Sequence, residues 1–438
     1  MEKNKDHDQG AYDFYREIRK KKPLDKRKIV LTAAGILVGA VLFGMIAAFV
    51  FAKTEPYFRE DENLRVSISD MPTEHSGKEV KEEKDEIIET KPQAQPTKEP
   101  EVEKTIPSQV VESPSITLTE YSELYKEVAE AASNPGRSVV VVQGFTNDVD
   151  WMNNSFEDEK QASGFVIADT GKEYYVLTEY RVVDTVDRIL VTFCDDTTVD
   201  AHFVKQDTAT GLAVIKISAD EVEKTTKEAI AVGELGSSAT VNRGDLVMAL
   251  GSPSGYPDSL SLGRITSTSN LKSTVDSEYH LLTTDIIGNS EGSGVLVNLQ
   301  GKIIGVIAQS FSGENGTSVV TALSISELRN LLEQLSNKED LIYLGVRGQD
   351  IGSSLSQKTG IPKGIYINSV ENDSPAMEAG LQNGDVIVKV GEESVETLTR
   401  LRGQLDQSKK DQKIKVTAMR KGAEGYVEII FDVTLGAL

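Results

Sequence analysis

Two serines in one glycine-rich loop, Ser290 and Ser293 of DIIGNSEGSGVLVN (Asp285–Asn298), carry the hydroxyls with the strongest claim to chemistry. Gly292 and Gly294 flank Ser293 and allow a tight turn around it. A hydroxyl placed this way attacks acyl groups, provided that a base takes its proton and a carboxylate orients the base. The histidines are His7, His75, His202 and His280. His7 and His75 fall outside any core-forming pattern. His202 (VDAHFVKQD) and His280 (YHLLTTD) sit on strand-like runs, where an ordinary strand role outweighs that of a relocated base. No lysine is placed for a Ser–Lys dyad. The single cysteine, Cys194 in ILVTFCDDTTV, cannot form an intrachain disulfide and reads as a packing residue. No cofactor and no metal is expected.

The elements that must position these groups follow from composition. The chain has 438 residues and a net charge of −22. Its length allows two or three domains with sizeable cores, and its charge argues against a nucleic-acid surface. Residues 1–28 hold ten Lys and Arg against six Asp and Glu. Ile29–Ala52 contains no charged residue, and as a helix it would reach about 36 Å, enough to cross a bilayer. Lys20, Lys21, Lys22, Lys26, Arg27 and Lys28 precede it and only Lys53 follows closely. The positive-inside rule therefore places the tail in the cytoplasm and the bulk of the chain outside. The apolar run is longer than that of a cleaved signal peptide, which favours an uncleaved single-pass anchor. Gly35 and Gly39 form a GxxxG pair that is ordinary in such a helix.

Residues 53–118 are rich in Glu, Lys, Pro, Thr and Ser and read as a disordered tether with a reach of about 45 Å. Residues 119–132 have the composition of a short helix. From Arg137 onward, runs such as RSVVVVQGF, YYVLTEY, LAVIKI, DLVMALG and KIIGVIA alternate with turn residues, the pattern of closed antiparallel barrels. SISELRNLLEQL (324–335) has apolar residues at helical spacing and closes that domain. The last hundred residues mix strands (YLGVRGQDI, GIYINSV, NGDVIVKV, KIKVTAMR, YVEIIFDVTL) with a short helix, SPAMEAGL, and a longer one, ESVETLTRLRGQL. Sequons occur at Asn153, Asn315 and Asn372; they would matter only in a eukaryotic secretory pathway.

Three stretches, LTEYRVV (Leu177–Val183), DTATGLAVI (Asp207–Ile215) and DIIGNSEGSGVLVN, together with RGDLVMALGSPSG (Arg243–Gly255), YLGV (Tyr343–Val346) and SPAMEAGLQNGDVI (Ser374–Ile387), resemble the HtrA-type (Deg) serine protease family. That resemblance implies a mostly β chain: a trypsin-like double β-barrel over 119–338 and a C-terminal α+β PDZ domain over 339–438, behind the tail, span and tether. It also places the catalytic triad. The histidine position falls on Arg181 and the aspartate position on Gly211. Counting back from the strand LVNLQGKIIGV puts Gly292 at the serine position; counting forward from Asp285 selects Ser293; matching GNS alone selects Ser290. The strand is the firmer anchor, because a one-residue slip turns its faces over; it favours Gly292, with Ser293 second.

A guanidinium cannot accept a proton and glycine cannot orient a base. The expectation is therefore a membrane-anchored, extracytoplasmic pseudoprotease for envelope quality control or signalling. The alternative is an active serine endopeptidase with a rearranged centre at Ser293 or Ser290. By resemblance, backbone N–H groups of Tyr343, Leu344, Gly345 and Val346 capture the terminal carboxylate of an unfolded polypeptide or protein C-terminus. Its last residues add as a strand beside Arg347–Ile351, with Leu344 and Val346 lining the pocket for the last side chain. The same resemblance implies a trimer of barrels, of this chain alone or mixed with active relatives.

Overall fold

An apolar residue at every position of a strand, as in the run Val139–Val142, has no solvent face, so both sides of the sheet must be covered. The computed structural model shows how. It describes residues 65–68, 117–149, 155–312 and 319–438. The expected cytoplasmic tail, the membrane span at 29–52, most of the tether, His7, His75 and the sequons at Asn153 and Asn315 lie outside these residues. Among the described residues, no helix is long and apolar enough to cross a membrane.

Six strands, β1 (Val139–Val149), β2 (Ser155–Asp169), β3 (Glu173–Glu179), β4 (Arg188–Thr192), β5 (Thr198–Asp207) and β6 (Leu212–Ser218), close into one antiparallel barrel in the order β1-β2-β3-β6-β5-β4. Another six, β7 (Leu246–Ser252), β8 (Ser259–Thr274), β9 (Ser277–Ile287), β10 (Ser293–Asn298), β11 (Ile303–Ile307) and β12 (Val319–Ser324), close into a second, ordered β10-β11-β12-β9-β8-β7. Alternate residues of each strand divide between two cores. Val166, Val176, Ala213 and Ile215 fill the first barrel, and Val247, Ala249, Leu282 and Leu296 fill the second. Their sequence neighbours Phe165, Leu177, Leu212, Val214, Met248, Leu250, Val295 and Val297 form a further core shared by both barrels.

The helix Ile325–Ser336 buries Leu328, Leu331, Leu332 and Leu335 in this shared core, the spacing expected of one helical face. The helix Leu118–Gly136 begins on a capping box in which Thr117 accepts from the Glu120 N–H and the Glu120 carboxylate accepts from the Thr117 N–H. Within the stretch expected as tether, Arg65–Ile68 is extended, with Val66 and Ile68 buried in the shared core. Both backbone groups of Val66 bond the Asn337 side chain: the N–H donates to Oδ1 at 3.0 Å and Nδ2 donates to the carbonyl at 3.0 Å.

The C-terminal domain starts with β13 (Ile342–Tyr343) and continues through β14 (Val346–Ile351), β15 (Gly364–Val370), β16 (Val386–Val390), β17 (Glu393–Ser394), β18 (Lys413–Gly422), β19 (Gly425–Thr434) and β20 (Gly436–Ala437). The main sheet runs β14-β15-β16-β18-β19, which leaves β14 on an edge, and β13 pairs with β20. The short helix Pro375–Ala379 is capped by Ser374 and ends on left-handed Gly380. The longer helix starts at Leu398, later than ESVETLTRLRGQL suggests. Glu393 and Ser394 pair with β16 instead, and the Thr397 hydroxyl accepts from the Arg400 N–H to cap the helix.

The clasp on Val66 is testable. Asn337→Ala strands a buried N–H and a buried carbonyl, and is expected to cost about 1–3 kcal/mol in urea unfolding. In a chain beginning at residue 69 the same substitution should cost well under half as much, and equal costs would show that Asn337 acts elsewhere.

Candidate active site and peptide groove

The fold brings Arg181, Gly211 and Gly292, the positions expected to correspond to the triad, close together. Arg181 follows β3 in the one-turn helix Tyr180–Val183, and the Tyr180 N–H donates to the Gly211 carbonyl at 2.8 Å. The Arg181 guanidinium pairs with the Glu179 carboxylate and reaches the second barrel, donating to the Glu291 carbonyl at 3.2 Å. A permanently charged fork therefore links both barrels at the position expected for the base. Burial pushes the Glu179 carboxyl above its ordinary value, against the pull of the Arg181 charge. Gly211 has φ +73°, with open space where a Cβ would point.

The serine loop is pinned by its own Asn289 and by Gln309 from beyond β11. Gln309 Nε2 donates to the Asn289 carbonyl at 2.9 Å and Gln309 Oε1 accepts from the Thr321 N–H at 3.0 Å. Asn289 Nδ2 donates to the Ser254 carbonyl at 2.8 Å, and Asn289 Oδ1 accepts from the Glu291 N–H at 2.8 Å. Gly292 is buried in this loop, and a Cβ built there would lie 2.3 Å from the Pro253 carbonyl oxygen. The position has no room for a side chain.

Ser293, the first residue of β10, has no exposed surface. Its Oγ accepts from the Ser163 N–H at 2.8 Å and lies 2.7 Å from Ser252 Oγ, which in turn lies 3.0 Å from Ser163 Oγ. The hydroxyl is spent joining the barrels and faces no cleft. Ser290 is exposed, and among the described residues no imidazole is within hydrogen-bond reach of either serine.

His202 is exposed on β5. His280 on β9 bonds Glu327 through Nδ1 at 2.6 Å, and this bond raises its pKa against the opposing effect of burial, with Glu278 adding to the rise. Asp285 accepts from the Arg264 N–H and pairs with its guanidinium, which lowers its pKa. Cys194 is exposed. Among the described residues, no group of three or more His, Cys, Asp and Glu could hold a metal ion.

In the C-terminal domain, three of the four backbone donors expected to receive a peptide carboxylate already hold one. The Leu344 and Gly345 N–H groups donate to Asp276 Oδ2 at 2.6 and 2.9 Å, and the Val346 N–H donates to Oδ1 at 2.9 Å. Tyr343 stands apart from this cradle, in β13 against Gly436. Gly345 has φ +96°, and a Cβ there would meet that of Ser374 at 2.3 Å, so only glycine turns the loop this way. Leu344 and Val346 have no exposed surface and belong to the domain core, not to an open pocket. Burial of Asp276 raises its carboxyl pKa, opposed by the three N–H donors and by the more distant Arg402 charge.

Sequence reasoning overlooked Asp276, Glu179 and the Ser163–Ser252 pair. Asp276 reads as a turn residue of TVDS, where aspartate tolerates its φ of +55°. Its partners lie 68 to 70 residues further on, so no local signal marks them.

Two barrels meeting at such a loop, followed by a domain with a carboxylate-binding backbone cradle, define a trypsin-like peptidase fold joined to a PDZ domain. The trypsin-like peptidase domain pattern matches residues 162–306 and the PDZ domain pattern residues 343–430. A serine protease Do-like HtrA of Lactobacillus helveticus is 30% identical over 289 residues, covering 62% of this chain and 68% of the relative. A probable periplasmic serine endoprotease DegP-like of Marinomonas sp. (strain MWYL1) is 30% identical over 276 residues, covering 62% of this chain and 56% of the relative. The chain thus spans little more than half the length of that relative. The solved structure of the HtrA-type protease AlgW with a decapeptide shares the fold, with a TM-score of 0.52 at 22% identity over 71% of this chain and 98% of that one. The chain belongs to the HtrA-type serine protease family with a C-terminal PDZ domain.

Two outcomes follow from this geometry. Gly292→Ser forces a Cβ against the Pro253 carbonyl and should lower stability by about 1–3 kcal/mol in urea unfolding; an unchanged midpoint would mean that the loop yields freely. An imidazole pKa raised on folding stabilises fully below its unfolded value of about 6.5 and loses that contribution as pH rises through the folded value. Glu327→Gln should therefore lower stability at pH 6 by about 0.5 kcal/mol, as for other exposed pairs, and hardly change it at pH 9. Equal thermal shifts at both pH values would remove His280 from the account.

Proposed function

We propose that this chain is a membrane-anchored, extracytoplasmic pseudoprotease that binds peptides or protein C-termini through its PDZ domain, in envelope protein quality control or signalling. The observation that carries the loss of proteolysis is the Arg181 guanidinium, tied to Glu179 and to the Glu291 carbonyl in the place of the family's general base. No proton can be passed to it. Gly211 supplies no orienting carboxylate, Gly292 has no space for a nucleophile, and Ser293 is buried among hydroxyls. Where a triad works as a unit, loss of its serine or histidine alone costs about a millionfold in turnover.

Extracytoplasmic placement is supported by the charge asymmetry around Ile29–Ala52 and by relatives described as periplasmic endoproteases. Peptide binding is supported by the backbone cradle at Leu344–Val346, which holds a carboxylate in the manner a C-terminus needs, and by the decapeptide complex of AlgW. Association into trimers, with itself or with active relatives, accords with the family.

A fluorophosphonate probe and an unfolded-casein assay on the purified chain test the reading. No covalent label and no cleavage are expected. Labelling or cleavage that disappears in Ser290→Ala or Ser293→Ala would establish a rearranged enzyme instead.

A further inference from the structure

The β8–β9 hairpin occupies the place in the PDZ domain where a peptide ligand would lie. Its tip residue, Asp276, has no exposed surface and gives its carboxylate to the N–H groups of Leu344, Gly345 and Val346. Its own N–H donates to the Val346 carbonyl at 2.7 Å. Three residues earlier, Ser273 Oγ donates to the Gly348 carbonyl at 2.8 Å. β8 packs along the edge strand β14, and β9 packs against the helix Leu398–Asp406. An added peptide strand uses the backbone of the edge strand and the carboxylate cradle together.

We propose that Asp276 is an internal ligand of the PDZ domain: the β8–β9 hairpin holds the groove closed, and a carboxylate-terminated peptide enters only by displacing it. The proposal rests on the reading of the domain as a C-terminus binder and names the regulation of that site. The chemistry is symmetrical, since an aspartate side chain and a chain terminus offer the same two oxygens to the same three donors. The competition is unequal, because the hairpin is covalently attached and its effective concentration does not dilute. A groove that is free in about one molecule in ten weakens apparent peptide affinity about tenfold. Asp276→Asn puts an amide N–H₂ among three N–H donors and removes the charge, so the closed state loses its anchor while the hairpin keeps its length.

The test uses the full chain and a fluorescein-labelled pool of decapeptides ending in free Val, Leu, Ile or Phe, with the amidated pool as control. Anisotropy titration should show Asp276→Asn binding the free-acid pool at least about tenfold more tightly than the wild type, with no gain for the amides. Hydrogen–deuterium exchange over Tyr343–Arg347 should rise in the variant while β10 stays protected, which shows that the fold is intact. Should Asp276→Asn fail to fold, Ser273→Ala, which removes one hairpin bond, should give a smaller gain in the same direction. Equal peptide affinity in wild type and variants, or cradle amides that exchange no faster in Asp276→Asn, overturns the internal ligand and leaves C-terminus binding standing. Freed amides with no binding by any of the proteins overturn the peptide-binding reading instead.

Discussion

The period of two along a β-strand is the constraint on which this molecule depends. In strands with no polar face, one set of side chains closes a barrel and the other must find cover, and here each barrel covers the other. Phe165, Leu177, Met248, Leu250, Val295 and Val297 all face this shared seam while their immediate neighbours fill barrel interiors. The register of β10 against β7, Ser293 opposite Ser252 and Val295 opposite Leu250, fixes which residues arrive at the seam. A slip of one residue would send Val295 and Val297 inward and Leu296 out. The loop before β10 therefore has little freedom, and the position of Gly292 beneath Pro253 follows from the packing of that strand.

Polar groups at the seam join the two barrels. A nucleophile needs an exposed hydroxyl with a neutral base beside it. Ser293, Ser252 and Ser163 instead satisfy one another in a buried interface, where an unpaired hydroxyl would be costly. Arg181 answers the same requirement with charge. Its fork compensates the burial of Glu179 and reaches a backbone carbonyl of the opposite barrel, so one side chain both neutralises and fastens. Arg181, expected at the family's histidine position, is a clasp between the two barrels.

Much of this was legible in the sequence. The ten or so strand-like runs gave two closed barrels because β-branched runs bounded by turn residues carry their own period, and Leu328, Leu331, Leu332 and Leu335 announced their helix by spacing alone. Arg181 and Gly211 sit beside short strings, LTEY and LAVI, at the end of β3 and the start of β6. What remained hidden has a common physical origin. Asn337 clasps Val66 across 271 residues, Ser163 meets Ser293 across 130, and Asp276 meets its loop across 68 to 70. Each bond joins a polar side chain to a backbone group, which leaves no residue-type signature at the far end. The ESVET segment misled for a local reason: Thr397 offers a cap, and the residues before it find strand pairing with β16.

With Asp276 as an internal ligand, the PDZ loop keeps a binding site without leaving it open. Backbone N–H donors cannot distinguish a chain terminus from an aspartate, so selectivity must come from what accompanies the carboxylate. Asp276 spends its side chain on the loop and has no second side chain to bury beside it. A C-terminal residue presents its carboxylate from the main chain and keeps its side chain for apolar contact, worth about 1.5–3 kcal/mol for a large aliphatic group. It pays for association in lost translational freedom, a cost the tethered hairpin escapes. The two ligands thus win by different terms. The hairpin prevails through proximity and the peptide through apolar burial, and a groove governed this way favours C-termini rich in apolar side chains over those that bring only a charge.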